Sequence, residues 1–279
     1  MKKSFIVLLM IVFLTGCGAE PTKAPVDEVV VPDASSTMVE IPAGEFFMGC
    51  DPNHGGGFSC LSDELPQHTV YLDRFYIDKF EVTNAEYAAC VKDGACDPPS
   101  NSSSNMRTSY YDNPDFAQYP VVYVDWNDAQ NYCAWAGKRL PTEAEWEKAA
   151  SNKDSGAFPW GDESPTCEKV NFYDAAAANH CVGDTSAVGS YPDNVSQYGV
   201  MDMAGNVWEW VSDWYSETYY GESPKENPTG PSGSNNKVVR GGGWASNASF
   251  LRNFYRTYDL SFNSSEDLGF RCASDSEIK

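Results

Sequence analysis

The stretch Asp202-Met203-Ala204-Gly205-Asn206-Val207-Trp208-Glu209 carries a carboxylate at each end and a glycine that permits a tight loop between them. Such a segment can wrap one divalent cation, for which carboxylates are hard and well-matched donors. The competing interpretation is packing, with Glu209 hydrogen-bonded to backbone. A second chemistry belongs to the thiols Cys50, Cys60, Cys90, Cys96, Cys133, Cys167, Cys181 and Cys272, an even set suited to disulfides in an oxidising compartment. A third belongs to the run from Gly243 to Leu268. It offers Trp244, Ser246, Asn247, Phe250, Tyr255 and Tyr258 among many small polar residues. Rigid aromatic area mixed with adaptable hydrogen-bonding groups is the composition of a recognition surface. Only three histidines exist, His54, His68 and His180, and no pair has the spacing of a helical metal motif, so each is read as a surface or loop residue.

The compartment is indicated by the first residues. Lys2 and Lys3 precede an apolar run from Phe5 to Leu14, and Leu14-Thr15-Gly16-Cys17 fits a lipobox. The run is too short to span a bilayer, which takes about 20 apolar residues. Residues 1–16 therefore read as a removable secretory signal, Cys17 as the lipidated N-terminus, and residues 17–36 as a Pro- and acid-containing tether. Residues 37–279 then form one large domain. This implies an envelope protein held to a membrane through its lipid and facing the periplasm or the cell surface. Gly18 after Cys17 favours the outer membrane. A net charge of -21 argues against nucleic acid as a partner.

The elements that must position these groups are short. Met38–Met48 alternates around Pro42-Ala43-Gly44 and predicts two strands about a turn, and Val70, Leu72, Phe75, Ile77 and Phe80 alternate again. Thr83 caps a helix from Asn84 to Val91, and Asp125 caps another from Trp126 that ends at Gly137. Its spacing turns Cys133 to the core. Thr142 and Glu145 form a capping box. From Ser151 to Arg240 the abundance of Gly, Pro, Asn and Asp predicts little regular structure. Trp160, Trp208 and Trp210 there, with Trp135 and Trp146 before it, are read as core. Spacing alone does not fix the disulfides. Short separations suggest Cys50/Cys60, Cys90/Cys96 and Cys167/Cys181, leaving Cys133 for Cys272 across a loop of about 140 residues, worth roughly 4–5 kcal/mol in the chain-entropy account.

Four motifs in order, AGEFFMG from Ala43, CAWAGKRLPTEAEWEKAA at 133–150, GVMDMAGNVWEWVSDWY at 199–215, and RGGGW followed by LGFRC at 240–272, resemble the formylglycine-generating enzyme (sulfatase-modifying factor) family. The resemblance covers essentially all of the folded part. It implies an α+β fold, a single irregular domain related to C-type lectins, and a Cys133–Cys272 disulfide. It implies structural calcium held by the Asp202 and Glu209 side chains with the Gly205 and Val207 carbonyls, and a second ion starting at Asn171 and Phe172, with Asp184 a candidate downstream.

The family's oxidase uses two cysteines of the C-terminal segment to hold Cu(I), for which thiolates are the natural ligands. Those positions are Ser246 and Leu251 here, so no copper and no formylglycine formation are expected. The family's groove runs beside Trp244, and some lipid-anchored proteins of this fold carry a diversified segment there. The leading expectation is a non-catalytic or catalytically divergent envelope lipoprotein that binds a protein, peptide or glycan ligand in that groove or serves in an envelope complex. The alternative is a divergent enzyme acting on a peptide or small metabolite.

Overall fold

The computed structural model describes residues 38–53, 57–153 and 156–278. Cys17, the signal, the tether and His54 lie outside them. In chain order the elements are β1 (Met38–Ile41), β2 (Gly44–Met48), β3 (His68–Leu72), β4 (Phe75–Asp78), α1 (Asn84–Lys92), α2 (Trp126–Trp135) and α3 (Glu143–Ala150). There follow β5 (Tyr173–Asp174), β6 (Asn179–His180), β7 (Trp208–Trp214), β8 (Asn236–Arg240), β9 (Thr257–Leu260), β10 (Leu268–Phe270) and β11 (Ala273–Ser274).

All three helices start where side chains satisfy the orphan amides of the first turn. Thr83 accepts from the Glu86 amide, Asp125 from Asp128 and Thr142 from Glu145, and in each case the third residue returns a bond to the cap backbone. Removing one such cap costs about 0.5–2 kcal/mol. Gly137, at φ 72, takes the left-handed conformation that stops the chain after α2.

The strands near the N-terminus form as expected, each pairing with a later strand. β1 and β2 do not form a hairpin with each other: β1 pairs antiparallel with β4, Val39 opposite Ile77, while β2 pairs with β3, Phe46 opposite Val70. The chain turns at Pro42 and Ala43 from one sheet into another, so the two strands share no edge. One sheet runs β1-β4-β11 and another β10-β7-β8-β9. In the latter β10 lies parallel to β7, while β8 and β9 are antiparallel neighbours. β7 was not foreseen, because WEWVSDW shows no alternation. It is covered on both faces, with Glu209, Trp210, Val211 and Asp213 buried.

Trp146 and Trp210 are fully buried, as expected. Trp160 and Trp208 are half-buried, and Trp135 is 38% exposed at the end of α2, where it leans on Tyr132 and its indole N–H reaches Asp93. The four disulfides are Cys50–Cys60, Cys90–Cys96, Cys133–Cys272 and Cys167–Cys181. The third ties α2 to the segment between β10 and β11 over a separation of 139 residues. Among the described residues, no helix is long and apolar enough to cross a membrane.

The interior also holds four arginines, each closed by a carboxylate. Arg252 pairs with Glu64 at 2.7 Å, Arg256 with Glu143 at 2.7 Å, Arg271 with Glu209 at 2.7 Å, and Arg240 with Glu147 at 2.5 Å. Removing one partner of such a pair strands a charge away from water and costs far more than a surface ion pair is worth.

Candidate functional site

The segment after β8 turns sharply through Gly241, Gly242 and Gly243, and it carries both positions where the resemblance calls for copper-binding thiols. Ser246 is buried, and its hydroxyl accepts the Gly243 N–H at 3.0 Å, closing its own turn. Leu251 is fully buried with Phe158, Val170, Phe172 and Phe254. A Cβ at Gly242 would come within 2.6 Å of its methyl group, so glycine and leucine fit together. An isobutyl group thus fills the second position as core. All eight cysteines among the described residues are oxidised in disulfides, which leaves no thiol there to bind a soft ion.

The groove residues divide into two sets. Trp244 is buried, its indole N–H reaching the Glu266 carbonyl at 3.3 Å and its ring lying 5.6 Å from His180. It is therefore a structural anchor and not a contact residue, as Ser246 is also. The indole fits here because its single donor finds a backbone partner. On the surface stands a different group. The half-buried rings of Trp208, Phe250 and Tyr255 meet edge to face or tilted, at centroid separations of 6.3, 6.0 and 5.0 Å. Arg252 lies 5.5 Å above Tyr255, its charge already satisfied by Glu64. Asn247 caps the turn carrying Phe250 by accepting the Ser249 N–H. Tyr258, 49% exposed on β9, packs tilted against Tyr215 at a centroid separation of 4.4 Å. Trp208 was read as core. Its contribution to this surface was hidden because β7 presents it outward beside two residues more than forty positions away.

The Asp202–Glu209 segment closes a sealed charge cluster. Arg271 binds both oxygens of Glu209, through Nε and Nη2, each at 2.7 Å, and Trp146 donates its indole N–H to Oε2 at 2.8 Å. Glu209, expected to ligate calcium, is thus the counter-ion of Arg271. An ion placed on that carboxylate would have to face a guanidinium. Asp202, at φ 58, accepts the Gly189 N–H at 2.6 Å, and Glu81 accepts from the Asn206 amide at 3.0 Å. The other oxygen of Glu81 is buried and accepts no N–H. Three carboxylates surround one guanidinium. Burial pushes the Asp202 carboxyl up to about 6, and burial together with the nearby Asp202 charge pushes Glu81 well above the ordinary range. Burial thus makes the ionised forms of Glu81 and Asp202 costly to hold together in this cluster.

The second expected ion fares similarly. Asn171 Oδ1 is buried without a partner, a hard oxygen of the right kind. The Phe172 carbonyl, however, accepts the Cys181 N–H. Asp184 is spent on Ser104, the Met106 and Thr185 amides, and Arg107. Of the two side chains expected there, only Asn171 offers a carbonyl oxygen without a protein partner, and calcium takes six to eight oxygens in all.

Fold and site together define a disulfide-braced α+β domain of the C-type-lectin-like kind, with an aromatic surface at its C-terminal segment. The chain belongs to the sulfatase-modifying factor family: residues 26–276 match the sulfatase-modifying factor enzyme 1-like domain. Over 296 aligned residues it is 38% identical to the formylglycine-generating enzyme of Streptomyces coelicolor, covering 88% of this chain and 92% of that one. The structure of PvdO from Pseudomonas aeruginosa is similar at a TM-score of 0.71 and 31% identity, covering 86% of this chain and 94% of that one. Treponema denticola variable protein 1 shares the fold, at a TM-score of 0.67 and 23% identity over 86% of this chain and 95% of its own.

Proposed function

We propose that this family member is an envelope protein anchored through Cys17 that binds a peptide segment of a protein partner and does not form formylglycine. The observation that carries the reading is the replacement of thiol chemistry by packing in the C-terminal segment: Leu251 is core, Ser246 closes a turn, and the same segment presents Phe250 and Tyr255 beside Trp208 at the surface. Half-exposed aromatics held rigid by their neighbours lose little entropy on contact, which makes them efficient anchors for a partner.

The test pairs two assays on the full chain. Incubation with a cysteine-containing sulfatase-type peptide, with and without Cu(I), is followed by mass spectrometry; no conversion of cysteine to formylglycine is expected, and conversion would overturn the reading. Crosslinking in envelope extract is then compared between the wild type and a Phe250→Ala, Tyr255→Ala variant. Loss of the crosslinked protein with an unchanged thermal midpoint supports the aromatic surface, and undiminished capture refutes it. Trp244→Ala is unsuitable, because truncating a buried indole tests the fold. Anchoring is tested separately by fatty-acid labelling of the wild type against Cys17→Ser.

A further inference from the structure

On a different part of the domain, a cleft of about 730 Å³ opens among the β3–β4 turn, one face of α2, the segment 138–145 and the loop 227–229. That volume is in the range of small-ligand sites. α2 contributes Trp126, Gln130 and Ala134, spaced four apart, while Ala129, Tyr132 and Cys133 face the core. The cleft is built from fixed parts. Asp73 and Asn227 clamp each other, the Asp73 N–H donating to Oδ1 at 2.8 Å and the Asn227 amide to the Asp73 carboxylate at 3.0 Å. Asn227 is held at φ 44, an uncommon conformation that its surroundings must enforce.

We propose that this cleft binds a saccharide bearing a carboxylate, a uronic acid in chemical class. Trp126 is the platform. Lys237 lies 3.8 Å from its centroid with Trp214 stacked beyond, and its indole N–H is spent on the Val211 carbonyl at 2.8 Å. What it gives the cleft is therefore ring surface and no donor, the kind of contact that the C–H face of a pyranose makes. Around it stand planar polar groups suited to hydroxyl pairs, among them Gln130, Asp73 and Asp275. The cations are unequal. Lys138 is neutralised by Asp78 at 2.7 Å, and Arg139 by Glu145 at 2.7 Å and by Asp275. Arg74 is exposed, rests 5.8 Å over the Tyr76 ring, and enters no ion pair among the described residues. A guanidinium so placed is a bidentate partner for a carboxylate.

Two other ligand classes fit less well. A peptide would need an open strand edge, but the edge of β3 beside the cleft is filled by the chain itself: Tyr71 bonds Lys225 and Asn227 through backbone, at 2.7 and 2.9 Å. A phosphate ester would call for several open donors. The α3 N-terminus beside the cleft is already capped by Thr142 and Glu145, and Arg74 alone among the three cleft cations is unpaired.

The test is calorimetric titration of the full chain with trigalacturonate and with its methyl ester, which keeps the sugar and removes the charge. It is run at about 0.15 M salt, where repulsion from the distant acidic surface is screened. The free acid should bind about tenfold more tightly than the ester, the order expected for one charge-assisted bidentate contact. Arg74→Gln should abolish that difference. Gln130→Ala should weaken acid and ester alike several-fold with an unchanged thermal midpoint. Absence of binding by the acid at millimolar concentration overturns the proposal, as does equal binding of acid and ester or an acid-to-ester ratio that survives Arg74→Gln.

Discussion

Asp202→Asn tests how the sealed cluster around Arg271 is balanced. In the unfolded chain the Asp202 carboxyl releases its proton near 3.8, and in the fold only near about 6, because burial disfavours the charged form more than Gly189 and Arg271 favour it. The folded state therefore holds the extra proton between those values, and stability falls as pH rises through that window. The shift corresponds to at most about 3 kcal/mol at neutral pH. Asparagine keeps an acceptor for the Gly189 N–H, tolerates the left-handed backbone at φ 58, and adds no charge. Urea unfolding in EDTA, with disulfides intact, should give equal stabilities near pH 4. At pH 7 the variant should be more stable by up to about 3 kcal/mol, about 5–10 °C in thermal midpoint. The acidic surface contributes its own pH dependence to both proteins, so the difference between the two curves isolates this carboxyl. Parallel curves refute the burial penalty on the Asp202 carboxylate. So does a calcium-dependent stabilisation of the wild type, measured without EDTA, that the variant loses.

Three further outcomes follow from the packing. Arg252→Met leaves Glu64 buried without its bidentate partner and should cost about 3–5 kcal/mol in denaturant unfolding, whereas a surface arginine would cost under 1. Replacing both Cys133 and Cys272 by serine should cost roughly 4–5 kcal/mol, more than opening any of the three short loops, as read from urea midpoints of the four paired variants. A Ser246→Cys, Leu251→Cys variant should gain Cu(I) affinity in a chromophoric chelator competition while losing stability from the cavity left beside Gly242; a folded variant without copper affinity would show that these are not the family's thiol positions.

What was legible in the sequence was local. Thr83, Asp125 and Thr142 announce their helices because a cap and its reciprocal carboxylate lie three residues apart. The short disulfides were legible for the same reason. What was hidden depends on distant partners. Arg252 finds Glu64 across 188 positions, and Arg256 finds Glu143 across 113, so no local pairing in the sequence announces that these arginines are interior. Their one signal was position, each standing near glycines or aromatics within the C-terminal motifs. The surroundings of the candidate site depend on distant partners in the same way. Trp244 reads as a contact residue but is buried, and Trp208 reads as core but is half-buried, packed on the core with part of its ring at the surface; periodicity reports neither. Arg271, 62 positions from Glu209, is a partner that no local pattern announces.

The strands β10 and β11 insert beside β7 and β4, partners from the middle and the beginning of the described chain. Both sheets therefore stay incomplete while the chain is being made, and Cys133 waits unpaired until Cys272 arrives. The three neighbouring bridges can be oxidised as they appear, but the fourth cannot. The last few dozen residues act as a keystone. Nonsense mutations even close to the end should leave two open sheet edges and a reactive thiol, a species more prone to aggregation and mispairing than to partial function.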